Sequence, residues 1–166
     1  MKTKIVQRES LIAIIKQLKN EGKRVISTSG CFDILHAGHV QYLREAKAKG
    51  DILVIMLNSD VSVRTLKGPS RPIVCEEDRA YVLESLEMVD YICIFDEQTP
   101  CDLIRRIQPD AVIKGGDYRG KHIPEMDVVD TYGGTVEYVS LVEGHSTTNI
   151  IEKIKKQLKE EMKGSS

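Results

Sequence analysis

Apolar residues recur at helical spacing across residues 8–20, where Leu11, Ile12, Ile14, Ile15 and Leu18 predict an amphipathic helix stopped near Gly22. The period then changes. Val25–Ser29 reads as a first strand, and the continuous apolar run Ile52–Leu57 reads as a strand covered on both faces. Between them His39–Lys49 carries Val40, Leu43 and Ala46 on one helical face, with Gly50 as the expected stop. Strand, helix, strand makes a βαβ unit, whose crossover is expected to be right-handed.

The alternation continues. Residues 64–75 form a polar, basic connection with glycine and prolines, too irregular for a core element. A helix from Glu76 to Leu86 places Ala80, Leu83 and Leu86 inward and keeps Glu76, Glu77 and Asp78 in its first turn. Tyr91–Phe95 is a third strand. Thr99 is the expected cap of the next helix, Pro100 its first residue, and Leu103, Ile104 and Ile107 its inner face. Ala111–Ile113 reads as a short fourth strand, Pro124–Tyr132 as a short helix, and Thr135–Val139 as a fifth strand after Gly133-Gly134. A loop over 142–148 leads into a last helix, Asn149–Met162, with Ile150, Ile151, Ile154 and Leu158 inward, lysines outward and a fraying tail at 163–166. About five strands alternating with helices predict an α/β, Rossmann-like three-layer sandwich with an open parallel sheet. At 166 residues the whole chain is expected to be one domain: an N-terminal helix over 8–20 and a core over 25–162.

Composition narrows the function classes. The formal net charge is -1, and no basic stripe is interleaved with aromatics, so nucleic acid is not an expected partner. No apolar run approaches the ~18 residues of a membrane span. The start, Met1-Lys2-Thr3-Lys4, lacks the apolar core of a secretory leader, which makes the cytoplasm the expected location. Cys31, Cys75, Cys93 and Cys101 have no C-x-x-C spacing, so neither a zinc site nor a disulfide framework is expected.

In open parallel sheets, ligands sit beyond the carboxyl ends of the strands. Every unusual polar cluster here falls at such an end: Ser29–His39, Asn58–Asp60, Lys114–Tyr118 and Gly144–Thr148. The first leads from a strand through Gly30 to a helix start flanked by His36 and His39, a phosphate-binding arrangement because first-turn N–H groups are unpaired and the dipole is positive. Gly38 removes a side chain that would stand between the imidazoles and a bulky phosphate. Neither a Gly-x-Gly-x-x-Gly fingerprint nor a Walker lysine is present. Fixed imidazole donors at a helix N-terminus suit nucleotidyl transfer, which builds charge on phosphorus and on departing pyrophosphate.

Gly30-Cys31-Phe32-Asp33 followed by His36-Ala37-Gly38-His39 resembles the signature of the cytidylyltransferase-like nucleotidyltransferases. From Val25 to Ile154 the chain resembles, more narrowly, the bacterial heptose 1-phosphate adenylyltransferases that make ADP-heptose, which occur alone or fused to a sugar kinase. Asn58-Ser59-Asp60, Leu66-Lys67-Gly68, Ser70-Arg71-Pro72, Lys114-Gly115-Gly116-Asp117-Tyr118 and Ser146-Thr147-Thr148-Asn149 carry that match. Many cytidylyltransferase relatives follow the terminal Ser/Thr block with arginine. Asn149-Ile150-Ile151 stands here instead, in agreement with the heptose group.

The resemblance implies ATP, Mg²⁺ held mainly by the ATP phosphates with no protein ligand named, and heptose 1-phosphate as second substrate. It also implies a homodimer, to which the N-terminal helix could contribute, and a separate upstream sugar kinase. His36, His39 and Lys67 are the expected catalytic residues, Lys67 bridging the two phosphates. Nucleotide contacts are expected from Ser29, Gly30, Cys31, Phe32, Gly38, Arg71, Arg79, Lys114, Gly116, Asp117, Tyr118, Ser146, Thr147 and Thr148. Asp33, Asn58, Asp60 and Lys67 are expected at the sugar phosphate, although Asp33 could equally brace its turn and Arg79 could equally pair with Glu76 or a nearby acid. Two alternatives stand beside this reading: a glycerol 3-phosphate cytidylyltransferase or another small alcohol- or sugar-phosphate nucleotidyltransferase, and a nucleotide-binding module without catalysis.

Overall fold

A computed structural model describes residues 3–140, 144 and 146–164. The strands are β1 (Val25–Gly30), β2 (Ile52–Asn58), β3 (Tyr91–Phe95), β4 (Ala111–Gly115) and β5 (Thr135–Val139). They form one sheet of order β3-β2-β1-β4-β5, and every pairing is parallel. The chain winds outward from β1 through β2 to β3, then returns to the other side of β1 for β4 and β5. The order therefore reverses between β1 and β4, where a crevice opens at the strands' carboxyl ends.

The helices are α1 (Arg8–Asn20), α2 (Ala37–Lys47), α3 (Asp60–Lys67), α4 (Glu76–Glu84), α5 (Cys101–Ile107), α6 (Pro124–Asp130) and α7 (Thr147–Gly164). Leu43 and Ala46 of α2, with Ala80 and Leu83 of α4, cover Ile26, Leu53 and Ile55 on one sheet face. Leu11 and Ile15 of α1, Leu103 and Ile104 of α5, and Val128 and Val129 of α6 cover Val54, Met56 and Val112 on the other. Burial on both faces accounts for the unbroken apolar run of β2. Among the described residues no helix is long and apolar enough to cross a membrane.

Several expectations are corrected. α3 was hidden in a stretch read as polar strand end and irregular connection. Its β-branched Val61, Val63 and Thr65 blur the helical pattern, and its start is fixed by the Ser59 side chain accepting from Ser62 N. α2 begins at Ala37, which puts His36 at the cap rather than outside the helix. α2 ends at Lys47, so Gly50 is not its stop; a Cβ on Gly50 would lie 2.9 Å from Arg24 O, so glycine there permits close packing. β4 runs on to Gly115, and Gly116–Tyr118 form a 3-10 turn. Thr99 does not cap α5; Pro100 occupies that position without a side-chain bond.

The largest difference is α7. Ile150 and Ile151 are half-buried, but every residue from 152 to 163 is exposed, with Ile154 48%, Leu158 54% and Met162 75% accessible. Its apolar stripe is real, but this domain does not cover it. Of the loop expected over 142–148, residues 142, 143 and 145 lie outside the described residues, as do residues 165 and 166 of the tail.

Candidate active site

β1 ends in a contorted turn. Phe32 (φ 47°) and Ile34 (φ 52°) both occupy the left-handed region, unusual for a ring and a β-branched side chain. The turn is held from inside by Asp33, which is buried. Its carboxylate accepts from Arg71 Nε at 2.6 Å, Ile73 N at 2.9 Å and Val74 N at 2.9 Å, and its carbonyl accepts from Thr147 Oγ1 at 2.5 Å. Burial would raise the carboxyl pKa, but these three donors outweigh it and hold it below the usual range. One aspartate thus ties together the turn, the 71–74 segment and the start of α7. The left-handed residues persist because that clamp over-determines them.

A second brace is Arg79, whose side chain is fully buried. It donates to Val74 O at 2.9 Å, Cys31 O at 2.6 Å, Asn58 O at 2.8 Å and Asp60 Oδ1 at 2.7 Å. Asp60 N in turn donates to Glu76 Oε2 at 2.5 Å, and Asn58 Nδ2 to Ser62 Oγ at 2.9 Å. Arg79, Asn58 and Asp60 therefore join the ends of β1 and β2 to α4 as internal braces, and Arg79 pairs with Asp60, the acid-pairing alternative given for it above. The Asp33 carboxylate is engaged by the 71–74 segment, which is the bracing alternative given for it above.

Beyond this frame α2 begins. His39 N and Val40 N donate to His36 O, which leaves the preceding amides of the first turn directed outward. The His36 and His39 rings stack at a centroid distance of 3.9 Å, and His39 also meets the Phe32 ring at 5.2 Å. Burial, with the His36 ring beside it, pushes the His39 pKa down to about 4. This imidazole is neutral near pH 7.

Across the crevice, Lys114 Nζ at the end of β4 bonds Glu125 Oε1 at 2.5 Å and Ser29 Oγ at 3.2 Å, and lies 5.6 Å from the Tyr118 ring centre. Below it the Tyr42 hydroxyl sits 2.6 Å from Thr28 Oγ1 and donates to Ile113 O at 2.9 Å, locking α2 to the β1–β4 seam. Burial holds the Tyr42 phenol protonated, its pKa raised. At the start of α7, Ser146 Oγ accepts from Asn149 N at 3.0 Å and so caps the helix.

These pieces enclose one cavity of about 500 Å³ at the sheet's switch point. Ser29, Gly30, Cys31, Phe32, His36, Gly38 and His39 line it from the β1–α2 side. Lys114, Asp117, Tyr118, Ser146 and Thr147 line it from the opposite side, together with Tyr42 and Gly115. Twelve of the residues expected from sequence are thus brought together. Gly116 and Thr148 are not among the lining residues, and Thr148 is exposed. Lys67 is exposed at the end of α3, and Arg71 is committed to Asp33 rather than free on a loose loop. Both remain close enough that, with Arg79, their charges partly offset the burial that raises the Cys31 thiol pKa.

Sequence reasoning missed Tyr42 and Glu125. Tyr42 had a usable signal, since it lies one turn after His39 on the same helix. Glu125 had none. Among the described residues no group of three or more His, Cys, Asp or Glu side chains is placed to hold a metal ion.

The geometry has counterparts in known proteins. The chain is 51% identical over 152 residues to the bifunctional protein HldE of Syntrophotalea carbinolica, covering 92% of this chain and 31% of that protein. It is 52% identical over 151 residues to the bifunctional protein HldE of Wolinella succinogenes, covering 91% and 31%. The chain therefore spans about a third of the length of these curated relatives. The crystal structure of the lipopolysaccharide core biosynthesis protein from Thermoplasma volcanium superposes with a TM-score of 0.61 at 28% identity, over 75% of this chain and all of that one. A family model described as cytidylyltransferase-like matches residues 27–157, the span that holds the sheet from the third residue of β1 onward and all the cavity-lining residues. The chain belongs to the cytidylyltransferase-like family.

Proposed function

We propose that this chain transfers the adenylyl group of ATP to D-glycero-D-manno-heptose 1-phosphate, giving ADP-heptose and pyrophosphate. The observation that carries the reading is convergence. The N-termini of α2 and α7, the stacked His36–His39 pair and the Lys114 ammonium all face one cavity at the strand-order reversal. Every one of these groups is a hydrogen-bond donor or a positive partial charge, as a triphosphate requires. Half identity to HldE proteins and likeness to a lipopolysaccharide core biosynthesis protein support a sugar phosphate as the acceptor.

A phosphate monoester is already ionised and nucleophilic near neutral pH, so no residue need activate it. Its oxygen attacks the α-phosphorus in line, the bond to the β-phosphate bridge breaks, and pyrophosphate leaves with the electron pair. The protein's work is positioning and charge stabilisation. His36, His39 and the first-turn amides of α2 donate to the triphosphate. A neutral His39 does so without a standing charge, so its contribution grows as negative charge develops. Lys67, with Arg71 behind it, bridges the incoming phosphate and the α-phosphate from the Cys31 side. The start of α7 and the Ser146 and Thr147 backbone hold the β- and γ-phosphates. Asp117 and Tyr118 flank the nucleoside.

Asp117 is the one carboxylate among the cavity-lining residues, a donor set that fits a magnesium ion carried in on the phosphates. That ion supplies charge neutralisation. A sugar kinase activity supplies the 1-phosphate, and dependence on ATP is consistent with work in the cytoplasm. We read the protein as a homodimer. The face of α1 is already spent on Leu11 and Ile15 against the sheet, so the uncovered Ile154, Leu158 and Met162 of α7 are the better candidate surface.

The test is pyrophosphate release with Mg²⁺, pairing ATP or CTP with heptose 1-phosphate or glycerol 3-phosphate. Turnover confined to ATP with heptose 1-phosphate supports the proposal. Turnover of CTP with glycerol 3-phosphate overturns the substrate assignment.

A further inference from the structure

The buried face of α6 is formed by Glu125, Val128 and Val129, spaced at i, i+3 and i+4. Two valines at such positions are ordinary packing. A carboxylate among them is not, because burying a charge costs several kcal/mol unless it is paired and bonded. Glu125 is 5% exposed and its partner is Lys114, whose side chain is 11% exposed and lines the cavity. Hydrophobic residues of similar volume would stabilise such a place as well or better, so the pair calls for a reason at the cavity.

Counting donors and acceptors supplies one. The Lys114 ammonium has three N–H groups and no acceptor. One goes to Glu125 Oε1 at 2.5 Å and a second to Ser29 Oγ at 3.2 Å. The third is left for the cavity. Ser29 Oγ, having accepted from Lys114, keeps its own proton to donate. The relay has one direction: Glu125 orients Lys114, Lys114 orients Ser29, and two N–H or O–H donors face the cavity side by side at the β1–β4 seam. Without the carboxylate the ammonium would lose the bond that anchors it.

We infer that Glu125 is a positioning residue for nucleotide binding, acting through Lys114 to aim the Lys114 and Ser29 donors at one acceptor group of the nucleotide. This rests on the reading of the cavity as the ATP site, and not on the identity of the sugar. Glu125 itself does not reach the ligand.

The test is a double-mutant cycle read by ATP binding in calorimetry and by steady-state kinetics of the whole protein. Glu125→Gln and Lys114→Met should each weaken ATP binding about five- to tenfold, the scale of a charge-assisted hydrogen bond. The double variant, which removes both charges and so protects folding, should bind no more weakly than Lys114→Met alone. In each single variant KM for ATP should rise by the same factor as the dissociation constant, and by more than kcat falls. A merely structural role would instead lower thermal stability and kcat together. The inference is overturned if Glu125→Gln binds ATP as the parent does, or if the two effects multiply in the double variant. A parent protein that binds ATP but leaves heptose 1-phosphate untouched overturns the substrate assignment alone. One that binds no ATP overturns both.

Discussion

Replacing Arg79 by methionine removes four hydrogen bonds and leaves a stem of similar length. Three of the lost partners are the carbonyls of Val74, Cys31 and Asn58, and the fourth is the Asp60 carboxylate. A buried acceptor left without its donor costs about 1–2 kcal/mol, so the three carbonyls alone give about 3–6 kcal/mol. Asp60, whose side chain is 23% exposed, recovers part of its solvation and adds little. The sum agrees with the ~3–5 kcal/mol seen when one partner of a buried ion pair is removed. Against a typical total near 10 kcal/mol this is a large share. With a urea m-value of about 2 kcal/mol/M for a chain of this size, the midpoint should fall by about 2 M. Arg79→Lys keeps the charge but reaches fewer of the acceptors, and should fall about half as far. Urea unfolding followed by circular dichroism measures both. A midpoint shift under about 0.5 M at unchanged m would refute the bracing role. Turnover lost from a variant of unchanged stability would mean that Arg79 touches the nucleotide after all.

Three further outcomes follow from the same frame. Because His39 is held near 4 in the folded chain and rises to its ordinary value on unfolding, the unfolded state binds the extra proton between about pH 6.5 and 4. Stability should therefore fall as pH drops through that window and be independent of His39 above it. Urea midpoints at pH 7 and 5 should converge in His39→Asn, and an NMR titration showing His39 protonating near 6.5 would contradict this. Asp33→Ala strands Arg71 and two backbone donors, so trypsin should cut after Lys67 much faster than in the parent; equal cutting rates would remove Asp33 from its clamp role. Ile154→Lys with Leu158→Lys should convert the proposed dimer to monomer in sedimentation without lowering the melting temperature of the core, and an unchanged mass would exclude the α7 stripe from the interface.

β2 and β3 were legible because burial on both faces favours unbroken apolar runs. Ile52–Leu57 and Tyr91–Phe95 are unbroken apolar runs, and both emerge as strands. The cavity was legible from strand ends, since a parallel sheet gathers whatever follows β1 and β4 into one crevice. The directions of individual side chains were not legible. Asp33, Asn58 and Asp60 sit at strand ends, yet their side chains bond Arg71, Ser62 and Arg79 of the surrounding frame. Sequence spacing does not distinguish a donor that waits for a ligand from one spent on a carbonyl. α3 was lost because β-branched residues at three of its eight positions mask the period, and only its Ser59 cap marks it. α7 shows the opposite limit. Amphipathicity announces a partner for Ile154 and Leu158 without saying whether that partner is the same molecule.

The central claim is that the phosphate oxygen of the sugar is the group that ends up bonded to the α-phosphorus of ATP as pyrophosphate leaves. Heptose 1-phosphate carrying ¹⁸O in its phosphate, incubated with unlabelled ATP and Mg²⁺, tests it in one mass spectrum of the products. The account predicts that all the label stays in ADP-heptose, including its bridging oxygen, and that pyrophosphate is unlabelled. Label in the pyrophosphate, or ATP consumed without ADP-heptose, would contradict it.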